Sequence, residues 1–133
     1  MNLYDMIYKR KSFHLFRNTG DEKITTNELE SIKKQFFLFE PLDKSIKVDI
    51  KIVKGEETKC KREEEYCILF YSEKKDNYLQ NIGYIGEQLD LYLTSLNIGT
   101  LWFGIGKTNE QKYNDLDFVI MMAIKKVPRN SFR

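Results

Sequence analysis

Two short stretches of the chain are apolar without interruption, and they constrain the fold more than any other feature. Residues 66–71 read YCILFY, and residues 118–124 read FVIMMAI. Short uninterrupted apolar runs are typical of strands that are buried on both faces of a sheet. Such a sheet needs a covering layer on each side. We therefore expect residues 1–133 to form a single three-layer domain.

The remaining strands are predicted from patterning. Residues 46–53 alternate between apolar and charged side chains, which predicts a strand with one exposed face. Residues 54–65 are dense in charge and read as a loop. Residues 100–105 read as a short strand or an extended turn.

Three segments have helical periodicity. Residues 3–10 predict a short amphipathic helix. A second helix is expected to begin at a capping box of Thr25 and Glu28 and to stop at Pro41. Residues 76–97 predict the longest helix, with Asp76 as its N-cap. The order α, α, β, β, α, β, β predicts an α+β domain whose mixed, mostly antiparallel sheet is flanked by helices.

Two glycines interrupt the longest predicted helix. Gly83 and Gly86 lie three residues apart and therefore share a face. Each glycine costs a helix about 1 kcal/mol relative to alanine. Close packing of the helix against another element explains such a face, and so does the approach of a flat ligand or a partner subunit. The sequence leaves both interpretations open.

Charge and composition exclude several classes of protein. The 22 basic and 20 acidic side chains give a net charge of +2, so we expect neither nucleic acid nor a membrane as a partner. Cys60, Cys67 and the single His14 do not have the spacing of a zinc site, and no metal is expected. We interpret the two cysteines as reduced thiols of a cytoplasmic protein, since no signal peptide is visible.

The common catalytic motifs are absent from the sequence. There is no G-x-G-x-x-G after a strand, no phosphate-binding glycine–lysine loop and no G-x-S-x-G turn. We therefore predict no catalytic side chain of the protein itself. Redox or group-transfer chemistry would come from a bound cofactor.

The first candidate cofactor segment follows the first helix. In an extended stretch, Arg10, Ser12 and His14 point to the same side. A guanidinium, a hydroxyl and an imidazole together suit a phosphate dianion. The alternative is a solvated basic turn.

The second candidate segment, residues 97–106, reads NIGTLWFGIG. Its three glycines surround Trp102 and Phe103 and permit the backbone to approach a planar ligand closely. A turn around a buried tryptophan explains the same pattern equally well.

Together these segments resemble the FMN-dependent nitroreductase family. IYKRKSFHLF resembles that family's opening motif R-x-S-x-(R/K). NIGYIGEQLDLYLTSLNIGTLWFG, from Asn81, resembles the hallmark of its TM nitroreductase subgroup, and FVIMMAIKKVPR resembles its late strand. The resemblance covers nearly the whole chain and implies the nitroreductase-like three-layer fold.

The resemblance implies a set of flavin-binding residues. For the FMN phosphate and the adjoining pyrimidine edge they are Arg10, Lys11, Ser12 and His14, the last replacing the usual arginine or lysine. For the isoalloxazine, with a backbone N–H directed towards N5, they are Trp102, Phe103, Gly104 and Ile105. The reaction implied is hydride transfer from NAD(P)H to FMN and then to a nitroaromatic, a quinone or a similar small acceptor.

We also expect a homodimer with FMN at or near the subunit interface, because the Tyr- and Phe-rich helices carry more apolar surface than one small sheet needs to cover. Family members usually continue beyond this point, so the C-terminal part of the family fold is expected to be absent. Arg129 and Arg133 lie where a basic C-terminal contribution would begin. Two alternatives stay open: a non-catalytic flavin- or small-ligand-binding module of the same fold, and an interaction domain that uses its aromatic surface.

Overall fold

A computed structural model of the chain describes residues 3–13, 16, 19–58, 60, 62–104 and 111–132. The helices are α1 (Leu3–Met6), α2 (Thr26–Phe36) and α3 (Tyr78–Ser95). The strands are β1 (Val48–Lys54), β2 (Tyr66–Ser72), β3 (Ile98–Phe103), β4 (Lys112–Tyr113) and β5 (Leu116–Lys126). Short 3-10 turns lie at Gly55–Glu57 and Arg129–Ser131. In these ranges, no helix combines the length and the apolar character that a bilayer crossing requires.

The strands form one five-stranded sheet. Its order is β1-β2-β5-β3, and β4 pairs with β5. The four ladders are antiparallel, and a single parallel bridge joins Ser12 to Thr100. The two uninterrupted apolar strands, β2 and β5, are therefore central neighbours, as their composition requires. The predicted α+β domain with a mostly antiparallel sheet is confirmed.

Each face of the sheet has its own hydrophobic core. Met122 and Ile124 of β5 pack in the core that contains the apolar sides of α2 and α3. The alternate residues, Met121 and Ala123, pack in a second core on the opposite face. Extended segments rather than long helices cover that second face, and Phe13 and Phe16 come from the opening segment.

The helix ends differ from the sequence prediction. α1 ends at Met6 rather than near Arg10, because the chain leaves the helix to run beside β3. α2 ends at Phe36, five residues before Pro41, and a turn then brings Phe39 back into the core. The predicted N-cap of α3, Asp76, is wrong. Asn77 takes that place with a left-handed backbone (φ 69°), which asparagine tolerates better than most residues.

The predicted capping box of α2 is confirmed, and it is tied to the sheet. Thr25 Oγ1 accepts a hydrogen bond from the Glu28 backbone N–H, and Glu28 Oε1 accepts one from the Thr25 N–H. Glu28 Oε2 accepts from Lys126 Nζ at 2.7 Å. Partial burial raises the pKa of Glu28, but the hydrogen bonds from Lys126 and Thr25 outweigh it and hold that pKa below its usual value.

We expect Glu28→Gln to lower the free energy of unfolding by about 1–2 kcal/mol at neutral pH, because it removes a charge-assisted hydrogen bond. Glutamine still completes the capping box. Because the folded pKa is depressed, this contribution is complete above the unfolded pKa of about 4.3 and is lost as the pH falls through the folded value. Urea denaturation of both proteins at neutral and acidic pH measures it. A difference that persists undiminished in acid contradicts this account.

Candidate functional site

The opening segment lies against the start of β3. Phe13 N donates to Thr100 O at 2.9 Å, and Ser12 forms the parallel bridge to the same residue. Because β3 continues from Thr100 to Trp102, the fold brings the two candidate cofactor segments into direct contact.

A buried carboxylate holds that arrangement together. Asp90 of α3 is fully buried and accepts hydrogen bonds from Arg10 Nε and Thr100 Oγ1, each at 2.6 Å. The Arg10–Asp90 ion pair joins the segment after α1 to α3. The hydrogen bond from the Thr100 hydroxyl to Asp90 joins α3 to β3 as well. A buried carboxylate is tolerated only with such partners. Asp90 therefore fixes the direction of the Arg10 guanidinium.

A largely apolar cleft lies beside this network. It has a volume of about 350 Å³ and is formed by the first half of α3, the end of β3 and the middle of β5. Pockets for small molecules and cofactors span about 300–1,000 Å³. The lining residues are Leu79, Ile82, Gly83, Glu87, Trp102, Gly104, Val119 and Ile120.

The two glycines of α3 have different roles. A Cβ on Gly86 would lie 2.4 Å from Trp102 Cη2 and 2.7 Å from Cζ2, so the indole packs directly on the helix backbone there. The Phe70 ring centroid lies 5.1 Å from that of Trp102. At Gly83, no described atom beyond the adjoining residues and backbone of α3 lies within 4 Å of such a Cβ, and this glycine borders the cleft. Gly86 thus serves close packing, whereas Gly83 leaves space.

Glu87 connects the cleft to the opening segment. Its side chain borders the cleft, and Oε1 lies 3.8 Å from Arg10 Nε. Burial, followed by the negative charge of Asp90, raises the pKa of Glu87, and Arg10 opposes the shift. Among the lining residues, Glu87 is the one with an acidic side chain.

The other predicted flavin residues are placed unequally. Lys11 is exposed, with Nζ 5.2 Å from the Phe13 ring centroid. Phe103 packs with the second core, on the sheet face opposite to Trp102. Its side chain therefore lies away from the cleft. His14 and Ile105 lie outside the described residues.

Sequence reasoning missed Asp90 and Glu87. Asp90 follows Gly86 by four residues and precedes Leu93 by three, so it sits within the apolar stripe of α3. An acidic residue in that stripe is the signal that was available. Glu87 carries no such signal, because its position beside the cleft depends on where β5 packs.

Comparisons with known proteins identify the family. The family model described as "Putative TM nitroreductase" matches residues 2–133. A nitroreductase family protein from Clostridium novyi NT superposes with a TM-score of 0.73 at 17% identity, over 100% of this chain and 89% of that one. A nitroreductase with bound FMN from Desulfitobacterium hafniense DCB-2 gives 0.71 at 13% identity, over 96% and 90%.

A third structure, a nitroreductase family protein from Clostridium difficile 630, gives a TM-score of 0.69 at 12% identity, over 93% of this chain and 83% of that one. A search of curated proteins returns no match. The fold implied by the sequence resemblance is confirmed by these superpositions. The chain belongs to the TM nitroreductase family, whose model spans it from residue 2 to residue 133.

Proposed function

We propose that the protein is an FMN-dependent oxidoreductase that passes hydride from NAD(P)H, through the flavin, to a nitroaromatic, a quinone or a similar small acceptor. Family membership and the FMN bound in the Desulfitobacterium hafniense structure support the cofactor. The observation that carries the proposal is the apolar cleft between Trp102 and α3, which Glu87 connects to the Arg10 guanidinium.

The cleft fits the ring end of a flavin. Its lining is apolar apart from Glu87, as a planar aromatic ligand requires. A Cβ on Gly104 would meet, among described atoms, only Ile120 Cδ1, at the ordinary contact distance of 3.9 Å. The packing of the described residues therefore does not demand glycine there. The missing side chain instead leaves the backbone of Gly104 open to a ligand, as the approach to flavin N5 requires.

The opening segment fits the phosphate end. Since Nε of Arg10 donates to Asp90, we assign the phosphate to the terminal groups Nη1 and Nη2. A guanidinium already oriented by a buried carboxylate loses little freedom on binding. Lys11 and Ser12 complete the proposed subsite, and His14 and Ile105 keep the roles that the family resemblance implies.

The chain's own residues would position reactants and exclude water. When bound, FMN supplies the hydride transfer. Trp102 forms a wall of the cleft and limits solvent access. Glu87 places a carboxyl group with a raised pKa beside the acceptor, where it is the lining residue suited to proton transfer.

We also propose a homodimer. Large side chains are exposed on α1, on the turn after it and on α3, namely Tyr4, Tyr8, Leu79 and Tyr84, and Leu79 also lines the cleft. Exposed apolar surface of this kind is typical of an interface, and its position beside the cleft supports a flavin near the subunit boundary.

Flavin binding and turnover are tested on the purified protein. We expect added FMN to bind with a change in its visible spectrum, NAD(P)H to bleach it without oxygen, and a nitro compound or quinone to restore the colour. Binding without bleaching supports the non-catalytic module instead. A protein that takes up no FMN overturns both.

Gly104→Val tests the ring subsite. We expect the dissociation constant for FMN to rise at least about tenfold, a loss of about 1.4 kcal/mol, because the new side chain fills the approach to the backbone. The thermal midpoint should change little, since described atoms leave room for it. Flavin titration and thermal unfolding of the same variant measure both. Unchanged affinity in a folded variant removes this segment from the proposed site.

A further inference from the structure

A cluster of potential metal ligands lies on the sheet face opposite to the cleft. Cys60 follows the Gly55–Glu57 turn, Glu64 lies in the same connection, and Cys67 is in β2. The two Sγ atoms and one Glu64 carboxylate oxygen all lie within 4.8 Å of one another. Cys67 is fully buried and Cys60 nearly so, and neither forms a disulfide. The cluster is therefore separate from the proposed flavin site.

The surrounding chain makes room for the carboxylate. A Cβ on Gly55 would lie 2.8 Å from Glu64 Oε2 and 2.7 Å from the Glu64 carbonyl oxygen. Gly55 is buried, so only a residue without a side chain admits Glu64 at this depth. The Arg62 backbone N–H donates to Glu64 Oε1 at 2.8 Å and orients the group. Such outer contacts are what hold ligands in position at metal centres.

The thiols are held in the same way. Thr58 Oγ1 lies 3.4 Å from Cys67 Sγ and accepts a hydrogen bond from the Cys60 backbone N–H at 3.3 Å. One threonine hydroxyl thus contacts both cysteines. The expectation of no metal rested on His14, which is not spaced to join the two cysteines. That expectation did not consider Glu64, which the structure places beside the two cysteines and against Gly55.

The separations suit one tetrahedral ion. With metal–sulfur bonds of about 2.3 Å and metal–oxygen bonds of about 2.0–2.2 Å, the ligand atoms of a tetrahedral site lie roughly 3.5–3.8 Å apart. Three atoms already within 4.8 Å need only a small adjustment. Two sulfur ligands favour Zn²⁺ or Cd²⁺ over Mg²⁺ or Ca²⁺.

We propose that Cys60, Glu64 and Cys67 bind a thiophilic divalent cation such as Zn²⁺, with water as the fourth ligand. Glu64 also borders a polar cleft of about 280 Å³, which gives the ion and the water a route from solvent. On binding, each thiol gives up its proton to solvent and the carboxylate binds as the anion. The two thiolates and the carboxylate then exceed the charge of the divalent ion by one negative charge.

The site is tested on the full chain kept reduced with a non-thiol reductant. We expect titration with Cd²⁺ to give one ion per chain, with the ultraviolet charge-transfer absorbance of cadmium thiolates, and Zn²⁺ to displace it. Zn²⁺ should also raise the thermal midpoint, because it binds the folded chain. Neither readout involves flavin, so a negative result here leaves the proposed oxidoreductase function untouched.

Variants identify the ligands. Cys60→Ala should abolish the charge-transfer band or weaken Zn²⁺ binding by at least 100-fold. Glu64→Gln, which keeps the shape of the side chain, should weaken it at least tenfold. Glu56→Gln is the matched control, since Glu56 borders the same polar cleft outside the cluster. If Cys60→Ala does not fold, the Zn²⁺ affinity of Glu64→Gln alone tests the proposed site.

Three results overturn the proposal. The first is no bound Cd²⁺ or Zn²⁺ under reducing conditions. The second is binding that Glu64→Gln leaves unchanged. The third is a protein that, once the reductant is removed, is oxidised by dissolved oxygen to a Cys60–Cys67 disulfide as fast with Zn²⁺ as without it, because a bound ion would protect both thiols.

Discussion

Gly86→Ala is expected to destabilise the protein by about 1–3 kcal/mol, the cost of overpacking a filled site. The added methyl would lie 2.4 Å from Trp102 Cη2. An indole is rigid, so either the whole ring or α3 must move. Since Trp102 forms a wall of the cleft, we also expect weaker flavin binding in the same variant.

Gly83→Ala is the matched control, on the same helix one turn earlier. Beyond the adjoining residues and backbone of α3, no described atom lies within 4 Å of its new methyl. Alanine is the better helix former, so we expect this variant to be more stable by about 0.5–1 kcal/mol. Both substitutions replace glycine with alanine, yet their effects on the free energy of unfolding should have opposite signs.

Trp102 is the only tryptophan of the chain, so intrinsic fluorescence reports its surroundings directly. We expect a shifted emission spectrum in Gly86→Ala and an unchanged one in Gly83→Ala, beside the two unfolding curves. Equal stability changes, or an unperturbed spectrum in Gly86→Ala, would show that the indole does not pack on the helix backbone.

Local signals predicted much of the fold. The capping box at Thr25 and Glu28 involves residues three apart, and the structure has it as predicted. The apolar composition of residues 66–71 and 118–124 predicted strands covered on both faces, and these became β2 and β5. Each of these features depends on neighbouring residues, which is why the pattern alone was sufficient.

β4 was missed for a physical reason. It has only two residues, too few for any periodicity. The turn after it contains Asn114 and Asp115, both with positive φ, and Tyr113 pairs with Leu116 across it. That is the two-residue hairpin turn that favours asparagine and aspartate, so the turn residues were the available signal.

The sequence predicted which two segments form the candidate site, but not the long-range contacts that hold them in place. The opening motif and the turn around Trp102 were both selected, and the bridge between Ser12 and Thr100 places them together. The contact of Arg10 with Asp90 spans 80 residues of sequence, and no local pattern encodes it. The same holds for the approach of Glu64 to the two cysteines, which depends on the turn at Gly55.

Breaking the Arg10–Asp90 ion pair should destabilise the protein more than Gly86→Ala does. Arg10→Met leaves a fully buried carboxylate without its cation, and we expect a loss of about 3–5 kcal/mol. Adding Asp90→Asn removes the stranded charge and keeps an oxygen for the Thr100 hydroxyl. We therefore expect the double variant to recover at least half of that loss in chemical denaturation.

The same variants separate two roles of Arg10. If Nη1 and Nη2 bind the FMN phosphate, the double variant regains stability but its dissociation constant for FMN stays at least about tenfold above that of the parent protein, a difference of about 1.4 kcal/mol. The dissociation constant of Asp90→Asn alone should lie between those of the parent protein and the double variant, because Arg10 is present there but less firmly oriented. Flavin titrations of all four proteins, made where each is folded, provide the comparison. FMN affinity that returns together with stability in the double variant would mean that Arg10 acts only by holding α3, and the phosphate would then have to be assigned to Lys11 and Ser12.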